Sequence, residues 1–86
     1  MSLAKYCDQV DKVARLEIEM QSLEATAASV ARRLEEIESQ GLEGDDVHTR
    51  TRDKLRHVVE RKIEISKGLI LAKAELTKLQ ARLDYE

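Results

Sequence analysis

One interruption, Gly41-Leu42-Glu43-Gly44-Asp45-Asp46, stands almost at the midpoint of the chain, between two long stretches in which apolar residues recur with the period of a helix. Two of the three glycines fall in it, and there is no proline anywhere to break the flanking segments. A break of this kind between two helical patterns predicts a reversal of direction, so that the arms fold back on one another.

Heptad letters make the first arm legible. Tyr6, Val13, Met20, Ala27 and Leu34 fall at a, and Gln9, Leu16, Leu23, Val30 and Ile37 at d, so that only Gln9 interrupts the stripe with a polar group. The second arm repeats the device, with Leu55, Lys62, Leu69, Leu76 and Leu83 at a and Val58, Ile65, Ala72 and Leu79 at d. His48 and Thr51 begin that register beside the turn. Lys62 is the defect in this seam. If facing residues have numbers that sum to about 86, Lys62 comes opposite Glu24, where an ion pair would set the register; the alternative is that its methylenes cover the seam while its ammonium reaches water.

The break carries its own chemistry. With Gln40 as C-cap, Gly41 sits at C′, where a left-handed conformation costs little without a Cβ, and Leu42 at C″ faces Ile37 in a Schellman arrangement. Gly44 supplies a second permissive position. Asp45 or Asp46 is placed to accept the first free amides of the second helix and to complement its positive end. A continuous parallel coiled coil is the competing architecture. It would place two glycines in mid-rod, each costing about 1 kcal/mol relative to alanine. The expected fold is therefore all-α: an antiparallel two-helix coiled-coil hairpin with helix 3–40, turn 41–46 and helix 47–85 in a single 1–86 domain, assembling into a four-helix bundle.

Charge divides along the same line. Residues 1–40 carry five basic and eight acidic side chains, residues 41–46 three acidic ones, and residues 47–86 ten basic and six acidic. An acidic first arm and a basic second arm attract one another in an antiparallel pair. The composition, 37% charged with neither phenylalanine nor tryptophan, suits helix surfaces better than an enclosed reaction site. Eighty-six residues make too little interior for a deep core.

Both arms are apolar beyond the seam. Leu3, Val10 and Ala31 occupy e and Cys7, Ala14 and Ala28 occupy b on the first arm; Val59 occupies e and Ile63 and Ile70 occupy b on the second. Val59, Ile63 and Ile70, with Val10 and Ala14, are the expected protein-interaction residues, because an uncovered ridge of this kind marks a docking site. Its occupant is another protein's helix or a second copy of the chain, giving a homodimer. Ile18 and Leu71 lie farther round the helices and stand alone.

No chemistry converges elsewhere. Asp45, Asp46 and His48 supply at most two ligands on one helical turn, which is too few for a metal centre, and they have structural roles as cap and seam. Cys7 and His57 fall at different levels of the proposed hairpin, so no cysteine–histidine couple forms. With neither a phosphate-binding glycine loop nor a carboxylate pocket, no cofactor, metal or enzyme activity is expected. The basic segment Arg50, Arg52, Lys54, Arg56, Arg61 and Lys62 raises nucleic-acid binding as an alternative, but Asp53 and Glu60 interrupt it and no aromatic platform accompanies it. A further alternative is a small secretion-type or assembly chaperone that shields a partner's amphipathic helix. A single cysteine excludes an internal disulfide, and the longest apolar run, Leu69-Ile70-Leu71-Ala72, is far short of the roughly 20 residues of a membrane span. A cytoplasmic or similarly reducing compartment is the expectation.

Overall fold

The computed structural model describes residues 3–85; Met1, Ser2 and Glu86, the outermost residues of the expected 1–86 domain, lie outside them. Two helices, α1 (Leu3–Ser39) and α2 (Asp46–Tyr85), make the whole fold among the described residues. They lie side by side as an elongated antiparallel hairpin 64 Å long and 14 Å across. No helix is long and apolar enough to cross a membrane among the described residues.

Every a and d position from Tyr6 to Ile37 and from His48 to Leu83 is buried or half-buried, Gln9 and Lys62 included. The seam is tightest around Val13, Ile65, Leu69 and Ala72, with Leu16, Met20, Leu23 and Leu76 packed against that cluster. Ala72 is the most enclosed of them, at 3% exposure. Its small side chain leaves room for Gln9 to cross the seam, and Gln9 Nε2 donates to the Ala72 backbone carbonyl at 2.9 Å. The polar group that interrupts the first stripe is thus satisfied by a helical carbonyl, whose second lone pair is free to accept it.

Three hydrogen bonds end α1. Gln40 N donates to Glu36 O at 3.2 Å, Gly41 N to Glu38 O at 3.0 Å and Leu42 N to Ile37 O at 3.2 Å. The last two are the pair that defines the Schellman motif, with Gly41 at φ 73° as its left-handed residue. Gly44, at φ 87°, makes a second left-handed step. Asp45 N then donates to Leu42 O at 3.1 Å, and the Asp45 carbonyl accepts Thr49 N at 3.0 Å, so Asp45 is the N-cap of α2. The expected side-chain cap is not formed: among the described residues neither the Asp45 nor the Asp46 carboxylate accepts an α2 amide. Both residues are exposed, so water can satisfy those amides while the carboxylates still complement the helix dipole.

Beyond the turn the seam opens with polar layers. His48 is buried, and its Nε2 lies 3.2 Å from Glu38 Oε1 across the reversal. Buried Thr51 donates its hydroxyl to Val47 O at 2.7 Å. No buried side-chain nitrogen or oxygen among the described residues lacks a partner, so these layers avoid the penalty of an unpaired polar group.

The three glycines separate into two kinds. A Cβ at Gly68 meets nothing within 4 Å, and its φ is not in the left-handed range, so this residue only weakens α2. Gly68→Ala is expected to raise unfolding stability by about 0.5–1 kcal/mol. Gly41→Ala, forced into a left-handed conformation, is expected to lower it by about 1–2 kcal/mol. Urea denaturation monitored by circular dichroism measures both, and opposite signs are the required outcome. In the same assay Ala72→Leu is expected to cost about 1–3 kcal/mol by overpacking the narrowest part of the seam.

Candidate interaction surface

An antiparallel pair has two flanks, one formed by the e positions of both helices and one by their g positions. The ion pairs identify them. Glu17 and Lys73, both at e, meet at 3.2 Å on one flank, while Glu19 and Arg61, both at g, meet at 2.8 Å on the other. The acidic arm therefore does face the basic arm, as their compositions imply, and on both sides of the seam.

The e flank is the apolar one. Val10 is 39% exposed, Val59 44%, Ile63 51% and Ile70 66%, although the neighbouring a and d residues are covered. Ala14, Cys7 and Ala28 are exposed beside them on α1. A shallow depression crosses this flank between the helices, lined by Met20, Glu24, Val59, Lys62, Ile63 and Ser66. The five expected interaction residues thus lie on one side of the hairpin, Val10 and Ala14 on α1 and Val59, Ile63 and Ile70 on α2.

Lys62 and Glu24 line the same depression without forming the expected ion pair. Lys62 is half-buried among Met20, Val59 and Ile63, so its methylenes cover the seam. Its neighbour Arg61 makes the bridge instead. From the g flank Arg61 Nε and Nη2 both reach Glu19 Oε1, at 3.1 and 2.8 Å, and Nη1 reaches Glu64 Oε2 at 3.1 Å. A planar guanidinium on the flank can hold two carboxylates while remaining hydrated, which an ammonium directed out of the seam does not match. The hydrogen bond to Glu19 foremost, and then that to Glu64, raises the Arg61 pKa further above its ordinary value.

The g flank is charged. Arg50, Lys54, His57 and Arg61 line a second depression with Leu23, Val58 and Asp53. Arg61 is occupied by its two glutamates, and Arg56 pairs with Asp53 at 3.7 Å and Glu60 at 3.9 Å. Part of the basic segment is therefore neutralised within the chain. Gly68 lies at g on this flank, away from Ile63 and Ile70, and Ala72 is sealed in the seam. Close in sequence, Ile63, Gly68, Ile70 and Ala72 therefore do not all share one face of α2.

The other candidate residues separate. His48 turns into the seam toward Glu38, away from the exposed Asp45 and Asp46. No group of three or more His, Cys, Asp and Glu side chains is placed to hold a metal among the described residues. Cys7 is exposed near the open end of the hairpin, many helical turns from His57 beside Leu23.

Comparisons of the chain with protein families, with curated proteins and with solved structures each return no significant match. The functional reading therefore rests on the chain's own residues.

The Arg61 bridge is solvent-exposed and should be screened by salt. Arg61→Gln is expected to lower the melting temperature in low-salt buffer, with the difference shrinking as salt is added; a loss independent of salt would assign Arg61 a packing role instead.

Proposed function

We propose that the chain is a non-enzymatic assembly module that docks a helical partner along its e flank, and that it does so by pairing with itself into a four-helix dimer. The observation that supports this reading is the exposure of Val59, Ile63 and Ile70 in one row beside a seam that is otherwise closed. A two-helix pair needs only its a and d stripe. Apolar residues at b and e go beyond what that stripe requires and leave hydrocarbon in water on the e flank, in patches on either side of the Glu17–Lys73 pair.

Burying the exposed half of such a side chain is worth about 1 kcal/mol. Two-fold symmetry uses every one of these residues twice, which is how a small apolar patch can offset the cost of association. The charges on the same flank, the Glu17–Lys73 pair and Glu24 among the apolar residues and Arg56 beside them, favour one orientation of the partner over others.

Sedimentation equilibrium across the micromolar range is expected to give twice the 9.8 kDa chain mass. Combining Val59→Glu, Ile63→Glu and Ile70→Glu is expected to leave helicity in place and return the chain to monomer. The wild-type melting temperature should rise with concentration, and that of the triple variant should not. A wild-type chain that stays monomeric at high micromolar concentration overturns self-assembly. A dimer that survives the triple substitution removes the e flank from it.

A further inference from the structure

We infer that the second copy lies on the e flank with its turn at the same end of the rod, so that α1 of each copy covers α2 of the other. The inference rests on the self-assembly reading above and specifies its geometry. Two face-to-face arrangements with two-fold symmetry are available to a hairpin. With the axis along the rod, α1 lies over α2 of the other copy and the two turns meet at one pole. With the axis across the rod, α1 lies over α1, α2 over α2, and the turns point apart.

Size separates these arrangements. The exposed apolar b and e residues of α1 are mostly small, Cys7, Ala14 and Ala28, with Val10 among them and Leu3 at the open end, whereas those of α2 are Val59, Ile63 and Ile70. With α1 over α2, Ala14 comes to the level of Ile70 and Ala28 to that of Val59, so that small faces large and the surfaces interdigitate. With the axis across the rod and centred on it, Ala14 of one copy faces Ala28 of the other, small against small. The facing helices are then held apart by the bulkier α2 pair, with a void along α1.

Charge separates them independently. The b and e positions of α1 carry Glu17, Glu24, Glu35 and Glu38 and no cation; those of α2 carry Arg52, Arg56 and Lys73, with Asp84 as the one acid along the helix. With α1 over α2, Glu35 comes to the level of Arg52 of the other copy, neither of them paired among the described residues of its own chain. Glu17 and Glu24 come within about a turn and a half of its Lys73 and Arg56, which within one chain are held by Glu17 and by Asp53 and Glu60. With α1 over α1, Glu24 of one copy comes to the level of Glu17 of the other, and like charges stack. The same-end arrangement does bring two acidic turns, each with Glu43, Asp45 and Asp46, to one pole. Those residues are exposed and their repulsion is screened by water and salt, whereas the charges of the e flank would lie within the proposed contact. The resulting dimer is polar along its length: both reversals lie at one end, and Leu3 and Tyr85 of both copies lie at the other.

Spin labels attached to a single cysteine, Glu43→Cys in a Cys7→Ser background, test the arrangement by pulsed dipolar spectroscopy on the dimer. Helices packed about 10 Å apart place same-end labels within roughly 30 Å of one another. Labels on turns pointing apart would stand close to the full 64 Å length of the rod. Because Glu43→Cys removes an acid from the turn, Tyr85→Cys in the same background repeats the measurement at the open end with the turn charges intact. Short distances at both sites are expected. A long distance at either one overturns the same-end arrangement while leaving self-assembly standing, and a monomeric mass for the unlabelled chain overturns both.

Discussion

Two helices alone cannot enclose a side chain. Each seam residue is covered by its partner in front and by its own helix behind, but water reaches it from both flanks. That is why no side chain among the described residues is fully buried, and why even the central Ile65 and Leu69 retain some exposure. The remaining structure depends on this thin strip of contact. Its length compensates for its thinness, because ten a and d positions of α1 are covered in a row. Losing the alignment of the two stripes would expose all of them together, so register matters more here than in a protein with a deep core.

Register is held by polar groups at chosen places along the seam. At the turn, the Schellman bonds from Gly41 and Leu42 set where α1 stops, and the Asp45 cap sets where α2 begins. His48 then meets Glu38 across the reversal. Far from the turn, Gln9 crosses to the Ala72 carbonyl, a bond available only where the facing residue is small. Between them Glu19 and Arg61 close one flank and Glu17 and Lys73 the other. A slip would break bonds at both ends of the rod, whereas an all-leucine stripe would penalise it only through packing.

Much of this was legible from residues alone. The seam followed from heptad spacing, and the helix end from Gly41 and Leu42, because both depend on local geometry that a few neighbouring residues specify. Lys62 illustrates where such reasoning stops short, since residue numbers left open both a pair with Glu24 and a lysine whose methylenes cover the seam, and the structure has the second. Matching levels along two helices identifies which residues are near, but not which way a long side chain leaves the seam. Arg61, one residue away, had the flank position and the forked donor that the bridge needed, and flank geometry is a property of the assembled pair. Gly68, Ile70 and Ala72 illustrate a similar limit: their closeness in sequence hides that they lie at the g flank, the e flank and the seam. The candidate surface was readable to the extent that b and e residues fall outside the a and d stripe; that they share one side with each other could be seen only once the helices were paired.

By itself the sequence determined that the chain reverses at Gly41, that two apolar stripes of equal period meet, and that an acidic arm faces a basic one, because period, chirality at a glycine and net charge act over short or additive scales. Only the tertiary structure decided how Gln9 is satisfied, which cation bridges the helices, that the Asp45 carboxylate is not the cap, and that Val10, Ala14, Val59, Ile63 and Ile70 share a flank. Each of these depends on directions and distances between residues far apart in the chain. Such geometry exists only after both helices are laid together.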